Sequence, residues 1–275
     1  MSCRWCHNPE SIRPALQMVF RQDRCIGCGE CMPVCPEQAI FLSHDCIMTD
    51  PEKCVHCCQC ADICPAGARE SAGKRFTTDE ILHIIEKDRL FYEQSNGGVT
   101  FSGGEPLFQH GFLIDILKHC KDRDIHRTVD TSGFTDYKIL AETTAYTDIF
   151  LFDIKHMDTE KHRAHTGVFN HRILENLVNL SKIGAKTGTK IIVRFPLIPG
   201  FNDDPDHVNR LGRFISQLPG IPKIDILPFH ASAKGKYKTF DLPYYMKKIK
   251  PPDDAQIRAA AGILKQYDIE INIDG

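Results

Sequence analysis

No apolar run in this chain approaches the ~18 consecutive residues that a membrane span requires. The opening MSCRWCHNPE also lacks the apolar core of a secretory signal. Both absences lead to the expectation of a cytoplasmic protein without a membrane partner. Excess positive charge is missing too: 34 Lys and Arg stand against 36 Asp and Glu, a formal net charge of −2. No nucleic-acid footprint is expected, and the short basic runs Lys234–Lys238 and Lys247–Lys250 read as solvated faces. Cysteine is almost absent after residue 64, where Cys120 recurs at helical spacing with Phe112, Leu113, Ile116 and Leu117 and reads as packing.

What is present is concentrated at the other end. Twelve of the 13 cysteines fall within the first 64 residues. Without a secretory signal a disulfide framework is not expected, so metal binding is the first reading. Composition divides the chain into a Cys-bearing opening (1–20), a Cys/Pro-rich segment (21–72) with little helical or strand periodicity, and a regular α/β region (73–275). The middle segment has too little apolar surface to fold without metal.

In the α/β region Thr77–Glu80 reads as a capping box, opening a helix whose apolar face includes Ile81, Ile84 and Ile85. Strands are expected at Gly98–Phe101, Arg127–Asp130, Ile149–Ile154, Lys190–Phe195, Ile224–Leu227 and Ile269–Ile273. Helices fall between them, one carrying Ile173, Leu174, Leu177 and Val178 and ending at Gly184. Repeated strand–helix units imply a parallel sheet with helices outside. Five or six strands are too few for an eight-stranded barrel, so a partial barrel is expected.

Two runs share one spacing, Cys25-x2-Cys28-x2-Cys31-x3-Cys35-Pro36 and Cys54-x2-Cys57-x2-Cys60-x3-Cys64-Pro65. They resemble the bacterial two-cluster ferredoxin pattern, in which the fourth cysteine of each run ligates the other cluster. That resemblance implies one [4Fe–4S] cluster on Cys25, Cys28, Cys31 and Cys64, and a second on Cys54, Cys57, Cys60 and Cys35. A structural zinc module is the alternative. Cys46 and Cys58 fit neither run and read as spare thiols.

The opening Cys3-Arg4-Trp5-Cys6-His7-Asn8-Pro9 resembles the end of the radical S-adenosylmethionine (SAM) signature, C-x3-C-x-aromatic-C. Cys3 and Cys6 would be the second and third cluster ligands and Trp5 the aromatic. The first ligand would lie four residues before Cys3, so Met1 is expected to be an internal methionine of a longer frame, with the first barrel strand also missing. A plain thiol pair is the other reading of Cys3 and Cys6.

The chain as a whole is similar to the activating enzymes of glycyl radical enzymes, in the subgroup with a two-cluster insert. The motifs are Ser102-Gly103-Gly104-Glu105-Pro106, Asp130-Thr131-Ser132-Gly133, Phe152-Asp153-Ile154-Lys155, Val193-Arg194-Phe195-Pro196-Leu197-Ile198-Pro199-Gly200-Phe201-Asn202-Asp203 and Leu227-Pro228-Phe229-His230. Taken singly, Gly-Gly-Glu-Pro is more often a turn and a lone Asp, Lys or His a solvated or structural residue. Asn170-His171-Arg172 also matches, while His162 and His165 read as surface residues.

The resemblance implies a partial (β/α)6 barrel with a ferredoxin-like insert. It implies that Gly103, Gly104 and Glu105 meet the SAM amino group, and that Asp130, Asp153, Lys155 and His230 surround the cofactor. Arg194 would face the cofactor or the incoming glycine segment, and Asp130 with Asp153 would hold a monovalent cation. A low-potential donor such as flavodoxin or ferredoxin would pass an electron through the two insert clusters. SAM would then be cleaved to methionine and a 5′-deoxyadenosyl radical, which takes a hydrogen from a glycine of the partner enzyme. Two rivals predict different outcomes: a radical SAM enzyme acting on a small molecule, and an inactive or electron-transfer iron–sulfur protein.

Overall fold

The computed structural model describes residues 1–240 and 242–273 of the chain. Two compact units form, one from His7–Arg75 with Ser232–Tyr244, the other from Met1–Cys6, Phe76–Ala231 and Tyr245–Gly275.

The smaller unit is built from short pieces: β1 (Gln17–Phe20), β2 (Ile40–Ser43), β3 (Cys46–Thr49), the one-turn helix α1 (Gln59–Asp62) and β4 (Arg69–Ala72). β1 pairs antiparallel with β4, and β2 with β3. The sequence predicted little regular structure here. The ribbons escape notice because each strand has four residues, too few for period-two alternation to register, and because β1 and β4 lie far apart in sequence. Cys31, Ile40, Ile47 and Cys60 make up its buried cluster, a core half composed of candidate ligands.

The larger unit runs α2 (Thr78–Glu86), α3 (Arg89–Ser95), β5 (Gly98–Phe101), α4 (His110–Lys121), β6 (His126–Thr131), α5 (Tyr137–Thr144), β7 (Ile149–Asp153), α6 (Thr159–Thr166), α7 (His171–Thr187), β8 (Lys190–Leu197), α8 (Pro205–Ser216) and β9 (Lys223–Pro228), and ends with α10 (Asp254–Lys265) and β10 (Glu270–Ile273). Between β9 and α10, α9 (Lys234–Thr239) belongs to the smaller unit. All six strands of the large sheet are parallel, in the order β5-β6-β7-β8-β9-β10. Parallel neighbours need a crossover, and the helices supply it. Six parallel strands with crossover helices match the expected partial barrel.

Two local expectations are corrected. α2 opens at the Thr77 capping box, but it buries Leu82 and Ile85 and leaves Ile84 exposed, since Ile84 lies ~100° round the helix from Ile85. α7 runs past Gly184 to Thr187, and Gly188 closes it. Gly184 sits inside the helix because a Cβ there would stand 2.7 Å from the Thr189 carbonyl oxygen, where the chain turns into β8. The lysines of the run Lys234–Lys238 are exposed on α9, as expected, while Tyr237 is buried and Lys236 Nζ donates to Asn8 Oδ1 (2.8 Å) and Glu10 Oε1 (2.6 Å).

Core packing reaches the end of β6 through Gly133. Its φ is +69° and an added Cβ would fall 2.0 Å from Cζ of the fully buried Phe152. Left-handed strain costs about 1–2 kcal/mol and overpacking about 1–3 kcal/mol. Gly133→Ala should therefore lose about 2–5 kcal/mol, read as a fall in the urea midpoint without a change in slope.

Candidate functional site

Alternation along the strands decides where charge can sit. One face of the sheet packs Val129, Phe150, Phe152, Ile191, Val193, Phe195, Ile224 and Ile226 into the core beneath the helices. Residues of the opposite parity cannot join that core, and among them are Asp130, Asp153, Arg194 and Asp225. Asp153 and Arg194 are register partners across β7 and β8, and Arg194 and Asp225 across β8 and β9. The Arg194 guanidinium bridges two acids, donating Nε–H to Asp153 Oδ1 at 2.9 Å and Nη2–H to Asp130. Lys155 Nζ donates to Asp153 Oδ2 at 2.8 Å, and Ser102 Oγ to Asp130 Oδ2 at 2.8 Å. Sequence reasoning missed Asp225, which is buried and pairs with Lys223 at 3.1 Å. A lone acid in the apolar strand KIDILP was the signal.

The four charges are unequal. Burial raises the Asp153 carboxyl, but Lys155 and then Arg194 outweigh it and hold its pKa below the ordinary carboxylate value. Asp130 is pushed up, by burial and by Asp153, against the pull of Arg194. Burial would lower the Lys155 ammonium, yet Asp153 and the Cys3 thiol outweigh it, and its pKa rises to about 12. Two acids and two bases balance here.

Glu105 is occupied locally. It accepts from Thr131 Oγ1 (2.7 Å), Ser132 N (3.0 Å), Ser132 Oγ (2.5 Å) and Leu107 N (3.3 Å), clamping the loop after β5 to the end of β6. Ser102, Gly103 and Gly104 stay exposed on that loop; Gly103 has φ +120° and nothing within 4 Å of the place a Cβ would take. His230 is exposed just past β9.

The Cys3–Cys6 segment is tied to α6, with Ser2 N–H donating to the Thr166 carbonyl and Arg4 N–H to the His165 carbonyl, both at 3.0 Å. Burial raises the half-buried Cys3 thiol, and the nearby Lys155 charge opposes the rise. Trp5 is buried with its ring 4.7 Å from Phe201, which also packs against His165 (4.4 Å) and His156 (4.9 Å). The loop carrying Phe201 is held by the buried Asn202, whose Oδ1 accepts from Ile198 N (2.8 Å) and whose Nδ2 donates to the carbonyls of Lys155 (2.9 Å) and Pro196 (2.6 Å).

His162 is not a surface residue. It is 1% exposed, with Nδ1 2.7 Å from the Val168 carbonyl, because one face of α6 is turned inward. His165 is half-buried against Phe201.

Two further histidines, His156 and His207, lie fully buried with rings 4.2 Å apart. His207 Nε2 accepts from Met157 N (3.0 Å), so its Nδ1–H donates to the Asn202 carbonyl (2.9 Å) and the ring is neutral. Burial, with Lys161 for His156 and His156 for His207, lowers both to about 4. Between about pH 6.5 and 4 the unfolded chain binds these protons and the folded one does not, so this stability is complete above pH 6.5 and is lost as pH falls. The unfolding free energy should drop by about 1–2 kcal/mol per pH unit in that window, and His207→Gln should flatten the slope in a pH series of urea titrations.

In the smaller unit the cysteines surround two cavities. Cys35, Cys54, Cys57 and Cys60 line one with Met18 and Thr49; Cys25, Cys28, Cys31 and Cys64 line the other with Phe20 and Arg69. The fourth cysteine of each run thus sits with the first three of the other run. Among the described residues no three His, Cys, Asp or Glu side chains converge as one metal ion would require. A ring of four thiols round a cavity suits an iron–sulfur cube better than a single zinc. Cys58 is buried beside the first cavity, its Sγ 3.4 Å from the His56 carbonyl, while Cys46 is exposed.

Residues 51–211 match the radical SAM superfamily, and residues 18–41 the 4Fe-4S binding domain. The chain is 36% identical to the trans-4-hydroxy-L-proline dehydratase activating enzyme of Clostridioides difficile, over 100% of this chain and 90% of that protein. It is 34% identical to the choline trimethylamine-lyase activating enzyme of Oleidesulfovibrio alaskensis, over 99% of this chain and 89% of that one. A crystal structure of a domain of pyruvate-formate lyase-activating enzyme from Bacteroides vulgatus superposes with a TM-score of 0.54 and 33% identity, covering 65% of this chain and 99% of that domain.

Proposed function

Because this chain belongs to the radical SAM superfamily and, within it, to the activating enzymes of glycyl radical enzymes, we propose that it takes a hydrogen atom from a backbone glycine of a partner enzyme. The charged row at the C-terminal strand ends, adjoining the Cys3–Cys6 loop in the same unit, is the observation that carries this reading.

The donor sets suit the cofactors of the family. Cys25, Cys28, Cys31 and Cys64 would hold one [4Fe–4S] cluster, and Cys35, Cys54, Cys57 and Cys60 a second. Cys3 and Cys6 would give two of the three thiolates of the SAM-binding cluster, beside Trp5. The exposed main chain at Gly103 and Gly104 admits close approach by the SAM amino group, and Asp130, Asp153, Lys155 and His230 would line its site. When bound, cluster and SAM supply reductive cleavage of the sulfonium C–S bond and the oxidising power to remove a hydrogen atom.

The chain's residues orient and hold charge. Lys155 stays an ammonium and Arg194 a guanidinium, so neither is a base, in keeping with hydrogen leaving the glycine as an atom. Glu105 holds the Gly-Gly loop in place. The two clusters of the smaller unit would receive electrons from a low-potential flavodoxin or ferredoxin. A cytoplasmic setting accords with this donor; among the described residues no helix is long and apolar enough to cross a membrane.

The test is anaerobic incubation of the reduced protein, carrying all three motif cysteines, with SAM and its partner. 5′-Deoxyadenosine and a glycine-centred EPR doublet on the partner are expected. Deoxyadenosine formed at an undiminished rate without any partner protein, and no doublet, would favour the small-molecule reading.

A further inference from the structure

Arg69 is 2% exposed in the smaller unit. Its Nη1 donates to Thr49 Oγ1 at 2.8 Å and lies 3.8 Å from Met18 Sδ, and its guanidinium stacks 4.3 Å over the Phe20 ring. Nη2 is buried with no hydrogen-bond partner, and among the described residues no carboxylate pairs with Arg69. The nearby Glu70 is taken by Arg21 and Arg24 on the opposite face of β4. A buried guanidinium without a counter-charge is strongly disfavoured, so a negative partner belongs beside it.

The candidates for that partner are the cysteine cages on either side. Arg69 and Phe20 line the cavity of Cys25, Cys28, Cys31 and Cys64. Met18 and Thr49, which touch the guanidinium, line the cavity of Cys35, Cys54, Cys57 and Cys60. Arg69 thus lies on the wall of one cage and against residues that wall the other.

We infer that Arg69 is the internal counter-cation of both cysteine cages and raises the reduction potential of the clusters they hold. The inference rests on the two-cluster reading given above. Reduction adds negative charge to a cage, and a fixed buried cation beside it favours the reduced form. Arginine suits the place because its plane can stack on Phe20 while its in-plane N–H groups point to different sides.

The experiment uses the anaerobically reconstituted full chain, with iron and sulfide counted before any titration. Wild type should carry about eight irons in the smaller unit; a clearly lower count would sink the two-cluster reading itself, before Arg69 is tested. Potentiometric titration followed by EPR then compares Arg69→Gln and Arg69→Lys with wild type. At a fixed poise Arg69→Gln should show an about tenfold lower reduced-to-oxidised ratio in these clusters, a midpoint about 59 mV lower for a one-electron couple. Arg69→Lys, which keeps the charge, should stay near wild type. If Arg69→Gln loses iron and Arg69→Lys retains it, the counter-cation role stands. A wild-type midpoint in fully loaded Arg69→Gln, or equal iron loss in both variants, would overturn it.

Discussion

Arg194→Met should lower the unfolding free energy of the larger unit by about 3–5 kcal/mol, because it leaves the largely enclosed Asp130 and Asp153 together with only Lys155 to offset them. For a chain of this size that is a fall in melting temperature of roughly 10 °C. Asp130→Asn should cost much less. Burial and Asp153 already push the Asp130 carboxyl up, so losing its charge relieves repulsion as well as removing an ion pair. The double variant Arg194→Met with Asp130→Asn should therefore be more stable than Arg194→Met alone, with a coupling of about 1–3 kcal/mol in a double-mutant cycle. If the two single changes simply add, the row is a set of independent surface charges and the picture of one balanced cluster is wrong. The same cycle can be read in SAM binding by calorimetry, where Arg194→Met should weaken affinity by more than Asp130→Asn does.

Cys64→Ser and Cys35→Ser give the other large effect, in opposite places. Cys64 lines the cavity of Cys25, Cys28 and Cys31, so Cys64→Ser should damage the cluster of the first run although Cys64 closes the second. Cys35→Ser should damage the cluster held by Cys54, Cys57 and Cys60. Each variant should lose up to about four irons per chain or convert one cluster to a three-iron form, visible by EPR. Combining Cys64→Ser with Cys28→Ser should cost no more iron than either alone, while Cys64→Ser with Cys57→Ser should empty both cages. The reverse pattern would assign each run to its own cluster.

Much of the sheet was legible because parallel strands alternate with helices long enough to show their own period. β5 lies where the sequence put it, and β6 to β10 differ at their ends. The one-turn α1 and the four-residue ribbons of the smaller unit were not legible, since periodicity needs length. His162 was misread for a related reason: a pair of histidines three apart says nothing of which face of α6 turns inward, and packing against Val168 decides it. Nor could β8 announce that Arg194 would bridge two acids from two other strands.

What the sequence determined by itself was chemistry carried by spacing: two matched cysteine runs, the Cys3–Trp5–Cys6 end of a third motif, and strand-terminal charges. Such patterns are local, fixed by a few covalent bonds. Tertiary structure alone decided other combinations, bringing Arg194 to Asp130 and Arg69 between two cages without a carboxylate. Those are long-range placements, set by which faces the apolar residues bury, and no window of sequence contains both partners.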